Sequence, residues 1–86
     1  MKQVYSLRDT KSGVYGQPTY HVNEQTAIRS LGDLVNEEPA TSTVSVHPGD
    51  FDLYFLGQWD ELDGNFVFND DSPRHVVNCA NLVKTS

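Results

Sequence analysis

The stretch HPGDFDLYFLGQWDELDGNFVFN, residues 47–69, decides the fold. Phe51, Leu53, Phe55 and Trp59 fall at odd positions with Asp52, Tyr54, Gln58 and Asp60 between them, the period-two pattern of a strand that buries one face. Leu56 is the exception to that alternation. Asp63 and Gly64 then mark a turn, in which Gly64 supplies the positive φ that a hairpin loop requires, and Phe66, Val67 and Phe68 read as the return strand. This hairpin is the core-forming element, and none of its residues forms a catalytic constellation.

Upstream, Val4, Tyr5 and Leu7 predict a first short strand, closed by the turn cluster Asp9, Thr10, Lys11, Ser12 and Gly13. Val14 and Tyr15 resume the apolar character, Gly16, Gln17 and Pro18 interrupt it, and Thr19 to Val22 predict a second strand that Pro18 assigns to an edge or a strand start. Asn23 is a good N-cap and Glu24 suits the positive end of a helix. Ala27, Ile28, Leu31, Leu34 and Val35 recur at helical spacing, so one stripe faces a core. Gly32 costs this helix about 1 kcal/mol relative to Ala, and Pro39 stops it at about Asn36 to Glu38.

Residues 39–50 read as a loop with a short extended piece around Val44 and Val46, and His47 is biased toward extended geometry by Pro48. In the tail, Val76, Val77, Ala80, Leu82 and Val83 suit a short helix or a final strand, with a helix from about Arg74 the favoured reading. The expected architecture is a single domain over residues 1–86 of α+β class. A small antiparallel β-sheet of about four strands packs against one main α-helix, with a short helix at the C-terminus.

At 86 residues the chain holds one modest core. A lone Cys79 allows no internal disulfide, so the fold rests on packing and suits a reducing compartment. No apolar run approaches the roughly 20 residues that cross a bilayer, and the opening MKQVYSLRD lacks the apolar segment of a signal peptide. A soluble intracellular protein without membrane association is expected. The net charge of −6 is unevenly spread. Lys2, Arg8, Lys11 and Arg29 against Asp9 and Glu24 give residues 1–30 a balance of +2. Residues 31–73 hold Asp33, Glu37, Glu38, Asp50, Asp52, Asp60, Glu61, Asp63, Asp70 and Asp71 and no Lys or Arg, a balance of −10; Arg74 and Lys84 follow. Because phosphate contacts supply most non-specific nucleic-acid affinity, binding a polynucleotide requires the basic residues to gather on one face.

The segments YSLRDTKSGVYGQP (5–18), EQTAIRSLGDLVNEEP (24–39) and HPGDFDLYFLGQWDELDGNF (47–66) together resemble the small nonstructural proteins of gokushoviruses, single-stranded-DNA microviruses that infect bacteria. The shared features are a strand followed by a D-x-K-type turn, a helix carrying AIR and ending in D-x-V-N, and an HP-x-D segment running into an acidic, Gly-containing turn. The resemblance covers the chain to about Phe68. It implies a nonstructural viral protein in the host bacterial cytoplasm, acting in DNA replication or the transition to packaging, with single-stranded DNA binding as the suggested activity. It implies no residue-level DNA site.

A site for single-stranded DNA combines cations that follow the backbone with aromatic faces on which bases stack. Lys2, Arg8 and Lys11 lie near Tyr5, Tyr15 and Tyr20 in sequence, and Arg29 can join them from the helix. The same tyrosines could instead cap the edge of a small core while the cations stay solvated. A second reading makes the acidic hairpin, Asp52, Asp60, Glu61 and Asp63, a contact surface for a basic viral replication or packaging protein, against the alternative of a solubilising rim. A homodimer through exposed strand edges is a variant of it. His75 and Cys79 are four apart and on a helix would share a face with which His21 or His47 could complete a nitrogen–sulfur site, yet the spacing matches no established zinc pattern, so neither metal nor cofactor is expected. Cys79 with a histidine supplies nucleophile and base residue types, but no orienting group or Gly-rich phosphate loop accompanies them, and no catalysis is expected.

Overall fold

The computed structural model describes residues 1–84. In chain order these form β1 (Lys2–Asp9), β2 (Val14–Tyr15), β3 (Thr19–His21), α1 (Glu24–Val35), α2 (Thr43–Val46), β4 (Phe51–Asp60), β5 (Asn65–Val67) and β6 (Arg74–Asn78). The long strands β1 and β4 pair antiparallel from Asp9 against Phe51 to Lys2 against Trp59. The second edge of β1 takes β2 at one end and β3 at the other. The second edge of β4 takes β6 at Asp52–Phe55 and β5 at Gln58–Asp60. Six strands therefore make a sheet four strands wide, and the class is α+β as the sequence predicts.

Two loops of one design close the hairpins. In each, an Asp side chain accepts the backbone N–H two residues on, Lys11 to Asp9 at 2.9 Å and Leu62 to Asp60 at 3.0 Å. Each ends on a glycine with positive φ, 74° at Gly13 and 69° at Gly64, whose N–H returns to the Asp carbonyl.

The core lies on one side of the sheet. Ala27, Leu31 and Val35 of α1 pack against Tyr5, Leu53, Phe55 and Cys79, with Leu7, Ile28, Leu34, Phe51, Val77 and Leu82 partly buried around them. Full burial of each such large apolar side chain is worth about 1.5–3 kcal/mol. Asn23 caps α1, its Oδ1 accepting the Thr26 N–H at 2.8 Å. Asn36 closes the other end and ties it to the tail, donating to the carbonyls of Gly32 and Leu82 and accepting the N–H of Lys84.

Three sequence expectations change. The alternation along β4 does not run through to Trp59, because Tyr5 pairs with Phe55 and Val4 with Gly57, which leaves Leu56 as an extra residue opposite no partner. This β-bulge reverses the parity of everything after it, so Trp59 leaves the core side and joins the opposite face. The expected C-terminal helix is a strand as far as Asn78, and the helical turn, of 3-10 type, begins only at Cys79. The open edge of β4 captures this segment, pairing Leu53 with Val77 and Tyr54 with His75, which local periodicity cannot reveal. Between residues 39 and 50 the expected extended piece is instead the single helical turn α2, started by Ser42, whose Oγ accepts the Ser45 N–H.

Glu37 holds that turn. Its Oε1 accepts from Ser42 N and Ser45 Oγ, both at 2.9 Å, and from Thr41 N at 3.2 Å. The Ser42 backbone bond, followed by those from Ser45, the Ser42 side chain and Thr41, draws the carboxyl from an ordinary 4.5 down to about 2. Because the folded-state pKa is depressed, the stability it contributes is present above 4.5 and is lost as pH falls through about 2. Proton titration followed by NMR should place the Glu37 carboxyl near the lower value, and Glu37→Gln should flatten the acid dependence of the unfolding midpoint across that window.

Two glycines make opposite predictions. At Gly57, with φ 150°, an added Cβ would collide with the Val67 carbonyl and approach Phe68, whereas at Gly32 it would meet nothing within 4 Å. Urea denaturation should show Gly57→Ala losing about 3 kcal/mol and Gly32→Ala gaining up to about 1 kcal/mol.

Candidate nucleic-acid interface

Residues paired across neighbouring strands share a face of the sheet. On the face away from α1 the pairs form rows. Tyr15, Arg8, Asp52 and Asn78 form the first row, and Ser6, Tyr54 and His75 the second. Tyr20, Val4 and Gly57 form the third, and Lys2, Trp59 and Phe66 the fourth. An antiparallel sheet with one open face ordinarily shows polar side chains there. This one adds an aromatic ring to every row beside them.

The rings form two groups. Tyr54 packs edge-on against Tyr15 at 5.3 Å and against His75 at 5.4 Å, and the Arg8 guanidinium lies 5.9 Å from the Tyr15 ring centre. At the other end Trp59 lies 4.8 Å from Phe66, and Phe68 stacks on Phe66 at 5.8 Å with planes 18° apart. Between the groups the floor is small and closed, with Val4 and Ser6 almost fully buried and Ser6 Oγ donating to the Gly16 carbonyl. The flanking rings remain open to solvent: Tyr15 is 38% exposed, Tyr20 46%, Phe66 45% and Phe68 65%.

Of the residues singled out in the sequence, Lys2, Arg8, Tyr15 and Tyr20 share this face, and Lys11 stands in the β1–β2 loop beside its Arg8 end. Neither Lys2 nor Arg8 enters a salt bridge among the described residues. Tyr5 and Arg29 do not belong with them. Tyr5 points into the core at 1% exposure, and its hydroxyl donates to Glu24 at 3.4 Å. Burial and the Glu24 charge push its pKa up to about 12. Arg29 sits on the solvent side of α1, in the other layer. Sequence reasoning missed Tyr54, Trp59, Phe66, Phe68 and His75; the break in alternation at Leu56 was the available sign that Trp59 changes sides.

The acidic hairpin is not one surface. Asp52 lies near one end of β4 and Asp60 at the other. Asp52 Oδ1 accepts from Asn78 at 2.9 Å and contacts His75 Nε2 at 3.1 Å. Burial raises its carboxyl, but those hydrogen bonds with the His75 and Arg8 charges outweigh burial and leave it below the ordinary range. Asp60 shapes its own loop, and Glu61 pairs with the N-terminal ammonium at 3.4 Å. Asp63 is exposed in the loop.

Cys79 and His75 are not brought together. The thiol is fully buried and is raised to about 11 by burial and then by the Asp52 charge, while His75 lies on the open face. No group of three or more His, Cys, Asp and Glu side chains among the described residues could hold a metal ion. The two classes of tyrosine should separate in denaturation measurements. Tyr5→Ala empties a core site and should cost about 3–5 kcal/mol, whereas Tyr15→Ala and Tyr20→Ala should each cost about 1 kcal/mol or less.

Neither a curated protein nor a solved structure matches this chain. The family model described as Phage ORF5 protein matches residues 2–82, a span that includes every strand and helix named above, and the chain accordingly belongs to the Phage ORF5 protein family.

Proposed function

We propose that this phage protein binds single-stranded DNA on the helix-free face of its sheet and acts without catalysis, in replication of a single-stranded viral genome or its transition to packaging, in the cytoplasm of the host bacterium. The observation that carries the reading is the open face itself, where Arg8 lies beside the exposed Tyr15 ring, which packs on the half-buried Tyr54. Bases stack on aromatic faces whatever their identity, and cations beside the rings meet the phosphates. Sheets with aromatic side chains on an open face are a recurring solution for splayed, unpaired bases. The gokushovirus resemblance of residues 5–66 supports the viral setting, and membership of a phage protein family is consistent with it.

The overall charge of −6 works against any polynucleotide, so the reading rests on local placement: Lys2 and Arg8 enter no salt bridge among the described residues, and Asp52 is the carboxylate that shares the rows of the open face with them. Asp9 and Asp60 build loops, Glu24 pairs with Arg74 at 3.0 Å, Glu37 holds α2, and Asp52 holds β6. The competing reading, a basic protein partner bound by the acidic hairpin, is weakened because these acids are dispersed: Asp52 lies near one end of β4 and Asp60 at the other, and Glu61 is paired with the N-terminal ammonium.

Fluorescence anisotropy with labelled oligo-dT and with duplex DNA, over a salt series, tests the reading. Lys2, Arg8 and Lys11 neutralise two or three phosphates, so the log–log salt slope for single strands should lie at about −1.4 to −2.1. Binding should favour the single strand and disappear in a Lys2→Glu, Arg8→Glu double variant. Absence of single-strand binding at low salt, or binding that the double variant retains, would refute it.

A further inference from the structure

The second aromatic group, Trp59, Phe66 and Phe68, lies away from the Arg8 cluster and outside the core. Phe66 and Phe68 are large apolar side chains left substantially in water, although β5 could have presented polar residues at no cost to the core. Gly57 allows this arrangement: only a residue without a side chain lets the backbone at Val67 and Phe68 close over β4, which brings the Phe68 ring beside Phe66. Lys2 pairs across from Trp59 and sets a cation in the same row. The group thus repeats the composition of the Arg8, Tyr15 and Tyr54 cluster at the opposite end of one face, with the closed floor of Val4 and Ser6 between.

We infer that Trp59, Phe66 and Phe68 form a second base-stacking station, with Lys2 as its phosphate contact, so that one single strand runs along β4 and engages both stations together. The inference rests on the single-strand reading above and extends it to the length of the ligand. Tyr54 pairs with Ser6 and Trp59 with Lys2, four ladder positions apart once the bulge is discounted, roughly 13 Å at the rise of a strand. A helical single strand advances about 3.4 Å per nucleotide, and an unstacked one advances further, so roughly four nucleotides bridge the stations. The occupant is a run of unpaired nucleobases rather than a duplex, whose bases already stack on each other and cannot lie flat on the rings. Of the neighbouring acids, Glu61 is offset by the N-terminal ammonium and Asp60 is turned into its loop.

Trp59 is the sole tryptophan and reports directly on its own station. Titration of the intact protein with dT8 should quench Trp59 emission at the same midpoint as the anisotropy change, with duplex DNA of equal length giving no quench. Affinity should climb steeply from dT2 to about dT4 and then level. Phe68→Ala, which removes a mostly exposed ring, and Phe66→Ala should each weaken dT8 binding by roughly 5- to 100-fold while circular dichroism stays native. Binding of dT8 that depends on Arg8 but leaves Trp59 emission unchanged and ignores Phe68→Ala would overturn the second station and leave the single-strand reading intact. No binding of any single strand by the wild-type protein would sink both. If light scattering shows a dimer that Phe66→Ala or Phe68→Ala dissociates without changing DNA affinity, the group is a self-association surface and the inference fails.

Discussion

The extra residue that β4 inserts opposite Val4 and Tyr5 governs which side of the sheet each later side chain faces. Before it, Phe51, Leu53 and Phe55 turn toward α1; after it, Trp59 turns away. Without that insertion the odd positions would all fall on one side and Trp59 would compete with the helix for the same space. The bulge is tenable because Gly57 follows it, at a φ of 150° and with the Val67 carbonyl where a Cβ would stand. One local irregularity therefore sets both the boundary of the core and the composition of the open face.

The remaining strands depend on this central pair for partners. β2 and β3 line one edge of it and β5 and β6 the other, each too short to persist alone. Their ends are fastened by polar side chains. Asn78 joins the Gly49 carbonyl to the Asp52 carboxylate, Asn36 joins α1 to the tail, and the Tyr5, Glu24 and Arg74 cluster links β1, the start of α1 and β6. A chain of this size buries too little apolar surface to leave such contacts idle. These hydrogen bonds hold the carboxylates in place without removing their charge; among the described residues Glu24 is offset by Arg74 and Glu61 by the N-terminal ammonium.

The Phage ORF5 family match and the open aromatic face are separate observations. The match places the chain among phage proteins, while the face is a physical property of this fold. Its rings are arranged in contacting groups rather than scattered, and contiguous exposed apolar surface on a soluble protein marks an interaction site more often than chance.

Local chemistry determined a great deal. The α1 stripe, its Asn23 cap, the two Asp-to-Gly loops and the interruption at Gly16 to Pro18 all follow from residues within a few positions of one another, so they were legible without any partner. The cations Lys2 and Arg8 and the rings of Tyr15 and Tyr20 were legible as candidates for the same reason. What only the tertiary structure decided is which of them meet. Tyr5 and Tyr15 are alike in isolation, yet the strand pairing buries one against Phe55 and leaves the other beside Arg8. The strand at Arg74–Asn78 exists because β4 offers it a free edge, and Trp59 lies on the helix-free face because of a register shift against β1. Hydrogen bonds between residues distant in sequence make these choices, and no local period encodes them.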